Sequence, residues 1–172
     1  NKGFFFFFYW FFFFSYDFMG NLCQSPGFVE DPSLPPQIPL KLEDIYTLQE
    51  ELGSGAYSTV HAAINKKTGQ RVAVKIIDRK NVSDADEKSL LREVNIMKTL
   101  HHPNIVQLYD FFSESDRLCL VLELLEGGEL FDRIVQKTFY SEKEARDVVY
   151  ILLSTIHYCH TRNIVHRDLK PE

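Results

Sequence analysis

Leu52-Gly53-Ser54-Gly55-Ala56-Tyr57-Ser58-Thr59-Val60 is the stretch that decides the fold of this chain. Together with the residues before it, from Tyr46 onward, it predicts a strand, a glycine turn and a second strand. Glycine lets the backbone approach another group closely, because no Cβ stands in the way. An ordinary hairpin turn is the alternative interpretation of the two glycines.

The next strand is predicted from Arg71 to Ile77, an apolar β-branched run that Lys75 interrupts. A lysine ammonium inside a buried strand costs several kcal/mol unless it is paired. Lys75 is therefore expected to have an anionic partner.

A helix is predicted from Ser83 to Leu100, since Leu90, Val94 and Met97 recur on one face and Ser83 is a suitable N-cap. Glu93 follows Leu90 by three residues, which puts a carboxylate on the inward face. We predict that Glu93 is the partner of Lys75, with a surface charge rotated outward as the alternative. Pro103 ends the helix, and another strand is expected to open near Ile105.

Further on, an apolar strand is predicted from Leu118 to Leu125, followed by Gly127-Gly128-Glu129-Leu130-Phe131-Asp132. Ser141 and Glu144 form a capping box at the start of a helix whose apolar residues predict burial on nearly every side. The sequence ends with His166-Arg167-Asp168-Leu169-Lys170-Pro171-Glu172.

In this order, the glycine turn, the strand lysine, the helix glutamate and the final His-Arg-Asp stretch resemble the eukaryotic serine/threonine protein kinases. Gly-Gly-Glu-Leu-Phe-Asp is most similar to the calcium/calmodulin-dependent group. The resemblance implies an α+β fold with a five-stranded antiparallel N-lobe sheet and one helix, plus only the first helices of an α-helical C-lobe. It also implies ATP-dependent transfer of the γ-phosphate to protein Ser and Thr hydroxyls.

The resemblance assigns four catalytic positions. Asp168 would accept the proton of the substrate hydroxyl, and Lys170 would bridge the transferred phosphoryl group and the attacking oxygen. Lys75 would contact the α- and β-phosphates, held ready by Glu93.

The resemblance likewise assigns the ATP site. The carbonyl of Glu123 and the amide of Leu125 would pair with adenine, with Leu122 as gatekeeper facing Ala73. Ser58 replaces the third glycine of the family loop, as in several calcium/calmodulin-dependent kinases. The ATP-binding positions implied are Leu52, Gly53, Gly55, Ser58, Val60, Ala73, Lys75, Leu122, Glu123, Leu125 and Glu129.

Glu129 would contact the ATP ribose and a basic substrate residue upstream of the target Ser or Thr, and Glu172 would add a second acidic contact. A first-turn helix carboxylate is the alternative for Glu129. Calmodulin regulation is expected only of a longer parent protein. The magnesium-binding residues of the family would follow Glu172, so Mg²⁺ is expected with ATP but no metal ligand in this chain.

The domain is therefore expected to be truncated within its catalytic loop and inactive alone, as part of an active kinase. The alternatives are a non-catalytic fragment that binds nucleotide or partners, and an unstable remnant of a damaged gene. Expected boundaries are 1–18 for an aromatic leader or annotation artefact, 19–41 for a proline-rich linker, and 42–172 for the partial kinase domain. Within it, 42–125 is the N-lobe and 126–172 the hinge and the start of the C-lobe.

Composition limits the remaining functions. A net charge of −5 with dispersed Lys and Arg argues against nucleic-acid binding. Three cysteines without metal-ligand spacing favour a reducing cytoplasm. Starting at Met19 exposes Gly20 with Cys23 close behind, which resembles a double-acylation signal for membrane association; a disordered leader is the alternative. The Phe-rich run over 4–14 is shorter than the roughly 20 residues of a membrane-spanning helix.

Overall fold

Five antiparallel strands form one sheet in the order β1-β2-β3-β5-β4. The structure is a computed structural model that describes residues 40–126, 135–136, 139–167 and 169. The strands are β1 (Tyr46–Ser54), β2 (Ser58–Asn65), β3 (Arg71–Asp78), β4 (Leu108–Ser113) and β5 (Arg117–Glu123). The predicted five-stranded sheet is confirmed, although β4 opens at Leu108 instead of near Ile105 and β5 ends at Glu123 instead of Leu125.

The helices whose full ranges the structure describes are α1 (Leu42–Ile45), α2 (Asp84–Thr99) and α3 (Glu142–His160), with a 3₁₀ turn at Arg79–Asn81. Helices α2 and α3 begin at the predicted caps, whereas α1 was not predicted. The Ser83 hydroxyl accepts a hydrogen bond from the Asp86 amide at 3.3 Å, and Ser141 and Glu144 form the reciprocal capping box. Among the helices in the described part of the chain, none is long and apolar enough to cross a membrane.

The two faces of the sheet bury different clusters, because successive side chains of a strand point to opposite faces. One cluster packs under α1 and comprises Leu42, Tyr46, Ala63, Val72, Val74, Phe112, Cys119 and Val121. The other packs under α2 and comprises Ile77, Leu90, Val94, Met97, Leu108, Leu118 and Leu120. Strand β3 contributes to both clusters, so both faces depend on its register.

Ion pairs and hydrogen bonds attach α1 to the sheet. Arg117 of β5 binds the carboxylates of Glu43 at 2.5 Å and Glu114 at 2.9 Å, and the Leu42 amide donates to Glu114 at 2.9 Å. The Lys66 ammonium donates to the Glu43 carbonyl. These contacts surround the Leu42 side chain, which is fully buried and packs in the cluster under α1.

The other long helix, α3, has exposed apolar residues. Met97 of α2 and its C-cap Leu100 line a pocket together with Thr155 of α3. Thr155 is the only buried residue of α3 among those described, while Val149 is 48% and Leu153 58% exposed. The apolar pattern predicts a helix that needs packing partners on nearly every side, and the described residues cover one side of α3 only.

Replacing Leu42 by Ala should lower the free energy of unfolding of the 172-residue chain by about 2–5 kcal/mol, because the substitution leaves a cavity between α1 and the sheet. Urea unfolding followed by circular dichroism measures the change. Leu40→Ala is the matched control, since the Leu40 side chain is 64% exposed two residues earlier. Equal unfolding midpoints for the two variants would show that α1 adds nothing to the core.

Candidate active site

The register of the sheet places the glycine turn beside the strand lysine. Gly53 of β1 pairs with Val60 of β2, Val60 pairs with Lys75 of β3, and Lys75 pairs with Leu120 of β5. Directly paired residues project to the same face of an antiparallel sheet. Lys75 therefore lies on the face that α2 covers, in one row with the turn.

A second row lies two residues further along the same strands. Ala73 pairs with Leu122, as predicted for a gatekeeper and its facing wall. The Glu123 amide donates to the Gln107 carbonyl at 2.9 Å. That bond uses the amide of Glu123, whereas the prediction assigns adenine to the carbonyl of Glu123 and the amide of Leu125.

The turn between β1 and β2 leaves room for a ligand. A Cβ built at Gly53 would meet no atom within 4 Å, so the space in front of this residue is open. The Gly55 amide donates to the Ser58 carbonyl at 2.7 Å, which closes the turn. A chain of phosphates fits such a turn, because backbone amides approach anions most closely where no side chain intervenes.

Glu93 lies near enough to Lys75 to act on its charge, which supports the predicted pairing. Lys75 is half-buried in β3, and burial lowers the pKa of its ammonium below the ordinary 10.5, whereas the nearby Glu93 carboxylate acts to raise it. Glu93 is half-buried on α2. Burial thus disfavours the charged form of Lys75, and the Glu93 carboxylate favours it.

The lowered pKa of Lys75 also sets the sign of its effect on stability. Between the folded-state pKa and the unfolded value of 10.5, the unfolded chain binds more protons at this side chain. Lys75 therefore lowers stability at neutral pH, and this cost disappears as pH rises through that window. An anion that binds Lys75 would offset the same cost, as expected of a site built to receive phosphate.

Sequence reasoning missed a contact at the other end of α2. The Arg79 guanidinium binds the Glu87 carboxylate at 2.7 Å and the Ser113 hydroxyl at 2.6 Å. A basic residue after a strand and an acidic residue in the first turn of a helix are common separately. Their spacing along the chain gives no signal that they pair.

Some predicted residues lie outside the described part of the chain: Asp168, Lys170, Glu129, Glu172, and the leader and linker over 1–39. Residues next to Asp168 are described. His166 lines the pocket between α2 and α3, and Arg167 has a φ of +68°. Left-handed backbone at a non-glycine residue is uncommon and concentrates at functional sites. No group of three or more potential metal ligands occurs among the described residues.

The chain is similar in sequence to a family model and to several known proteins. A family model described as "Protein kinase domain" matches residues 46–172. The chain is 50% identical over 132 residues to a probable myosin light chain kinase of Dictyostelium discoideum, covering 77% of this chain and 34% of that protein. It is 49% identical to calcium-dependent protein kinase 5 of Plasmodium berghei, covering 76% and 23%, respectively.

A third relative is calcium/calmodulin-dependent protein kinase type II of Caenorhabditis elegans, which is 48% identical over 132 residues. This match covers 77% of the chain and 18% of that protein. The chain thus spans between 18% and 34% of the length of these three relatives.

Replacing Glu93 by Gln should lower the pKa of Lys75 further, because it removes the carboxylate that favours the ammonium. The pH midpoint of Lys75 acetylation by acetic anhydride, read by mass spectrometry, should move to lower pH. Asp84→Asn, an exposed carboxylate on the first turn of α2, should leave the midpoint unchanged. Equal midpoints for Glu93→Gln and the unmodified chain would contradict the pairing.

Proposed function

This chain belongs to the protein kinase family, and on that premise we propose that the protein transfers the γ-phosphate of ATP to serine and threonine hydroxyls of other proteins. The observation that carries the proposal is the juxtaposition of Lys75 and Glu93 beneath an open glycine turn. A half-buried cation that has lost part of the hydration it would have in water favours an anionic ligand. The space in front of Gly53 is where such a ligand enters.

Members of this family use ATP with Mg²⁺, which supplies the phosphoryl group and neutralises charge on it. On this chain, we assign the phosphates to the backbone of Gly53 and Gly55 and to the Lys75 ammonium. Glu93 keeps Lys75 charged and oriented, because a carboxylate beside an ammonium offsets the cost of its burial. Ser58 closes the turn through its carbonyl and supplies the third loop position.

We place the adenine end of the proposed site on the same face of the sheet as Lys75. Ala73 and Leu122 form one wall, as direct partners on β3 and β5. We assign Leu52 and Val60 to the opposite side of the adenine, at the base of the turn. The Glu123 carbonyl and the Leu125 amide are assigned to the adenine edge; backbone groups leave these side chains free to vary.

For the transfer step, we propose that the carboxylate of Asp168 accepts the proton of the substrate hydroxyl. We propose that the Lys170 ammonium offsets the negative charge on the transferred phosphoryl group. Support for both comes from the His-Arg-Asp-Leu-Lys-Pro-Glu stretch and from the family match, which extends to residue 172. The left-handed backbone of Arg167 directly precedes this base.

Substrate choice and regulation are finer proposals. Glu129 and Glu172 are acidic, so a substrate with basic residues upstream of its target hydroxyl fits them by charge. Relatives named as calcium/calmodulin-dependent kinases support regulation by calmodulin in the whole protein. A cytoplasmic location is supported by Cys119 and Cys159, which are both free thiols.

ATP should raise the melting temperature of the 172-residue chain in a saturable way, because a ligand that binds only the folded state stabilises it. Lys75→Ala should weaken ATP binding about tenfold or more, since a hydrogen bond to a charged group contributes about 1.5–3 kcal/mol. Thermal-shift titration with and without Mg²⁺ measures both effects. Lys80→Ala, an exposed lysine just after β3, is the control.

Two outcomes would count against this assignment. A cooperative melt that ATP does not shift would remove the nucleotide site from the folded chain. Equal weakening of ATP binding by Lys75→Ala and Lys80→Ala would show non-specific charge attraction instead of a site.

A further inference from the structure

Arg79 connects three elements at the edge of the sheet on the side of α2. It follows the last residue of β3, its Nη1 lies 2.7 Å from Glu87 in the first two turns of α2, and its Nη2 lies 2.6 Å from the Ser113 hydroxyl at the end of β4. The Arg79 amide donates to the Asp116 carbonyl at 3.0 Å, which fixes the backbone as well. One guanidinium thus holds the beginning of α2 against two strands.

The beginning of α2 has little apolar attachment. Its buried residues are Leu90, Val94 and Met97, so the core contacts start two turns into the helix. Before them, Val82 packs against the cluster just outside the helix. The Arg79–Glu87 pair is therefore the polar contact that the structure provides where apolar packing of α2 is weakest.

The position of Glu87 around α2 gives this pair a consequence for the site. At about 100° per residue, Glu87 and Glu93 lie roughly 120° apart around the helix axis. Leu90, Val94 and Met97 fall between them, so the two glutamates flank opposite edges of the buried stripe. A rotation of α2 that moves Glu87 away from Arg79 also moves Glu93 relative to Lys75.

We propose that Arg79 is a positioning residue that fixes the rotation of α2 and thereby holds the Glu93 carboxylate toward Lys75. Its relevance to phosphoryl transfer rests on the proposed function, whereas the coupling between the two glutamates does not. Arginine suits the role because its planar fork reaches Glu87 and Ser113 at once, which the single ammonium of lysine does not reproduce. The side chains of Arg79 and Glu87 are 27% and 24% exposed, so water screens the pair only in part.

The chain offers a matched control for Arg79. Arg71 and Arg79 lie four residues before and after Lys75, about 13 Å away along an extended chain. Arg71 also binds two carboxylates, of Glu50 at 3.4 Å and Glu126 at 2.9 Å, and neither belongs to α2. Removing either arginine takes a positive charge away from Lys75 and therefore raises the pKa of Lys75 directly. A lower pKa in Arg79→Ala than in Arg71→Ala would therefore come from movement of α2.

The test is the pH midpoint of Lys75 acetylation in the full 172-residue chain. Arg79→Ala should move the midpoint to lower pH by at least half of the shift that Glu93→Gln causes, while Arg71→Ala leaves it unchanged or raises it. Glu87→Gln, which removes the charge of the same pair on the helix side, should reproduce the shift.

In Arg79→Lys, the midpoint should lie between that of Arg79→Ala and that of the unmodified chain. In the Glu93→Gln background, Arg79→Ala should cause no further shift to lower pH, since the carboxylate through which movement of α2 acts on Lys75 is absent.

Equal midpoints for Arg79→Ala and Arg71→Ala, or a full shift that persists in the Glu93→Gln background, would overturn the proposal. Acetylation requires no nucleotide, so it reports on the coupling even if ATP does not bind. If ATP binds, Arg79→Ala should also raise its Kd about fivefold, the lower end of ordinary coupling between sites. A shifted acetylation midpoint without any ATP binding would refute the proposed function and leave the positioning role intact.

Discussion

The partial burial of one ammonium group in the middle of the sheet is the constraint on which the rest of the structure depends. Lys75 sits on β3, which pairs with β2 on one side and β5 on the other, so its stem has neighbours in both directions. Burial makes its charged form costly, and the Glu93 carboxylate offsets part of this cost. The site therefore requires a helix that packs on the sheet and places a carboxylate beside Lys75. Helix α2 provides this carboxylate with Glu93.

Strand β3 carries Lys75 without weakening the core, because one face of the strand packs in the core and the other faces the site. Val72 and Val74 point toward α1 and are almost fully buried in the cluster beneath it. Ala73 and Lys75 alternate with them and point to the opposite face. A small residue and a cation there leave space and charge for a ligand, while the apolar face holds the strand in register.

The local features of this arrangement could be predicted from the sequence. An N-cap, a capping box, a glycine hairpin and a lysine in a β-branched run each leave a signal within a few residues, and the structure places all four as expected. Contacts across the fold leave no such signal. The Tyr46 hydroxyl donates to Asp110 at 2.5 Å across 64 residues, and Arg79 reaches Ser113 across 34. The apolar pattern of α3 likewise shows that the helix needs packing partners, but not which residues cover it.

Apolar packing and ion pairing contribute different things to the placement of α2. Burial of Leu90, Val94 and Met97 is favourable over a range of rotations, because the hydrophobic effect is non-directional. A charge-assisted bond between a guanidinium and a carboxylate restricts distance and angle more narrowly. The cluster thus keeps α2 on the sheet, and the polar contacts at the edges of its stripe decide which way its glutamates face. Precision at Lys75 follows from the directional contacts, although the apolar ones contribute more to stability.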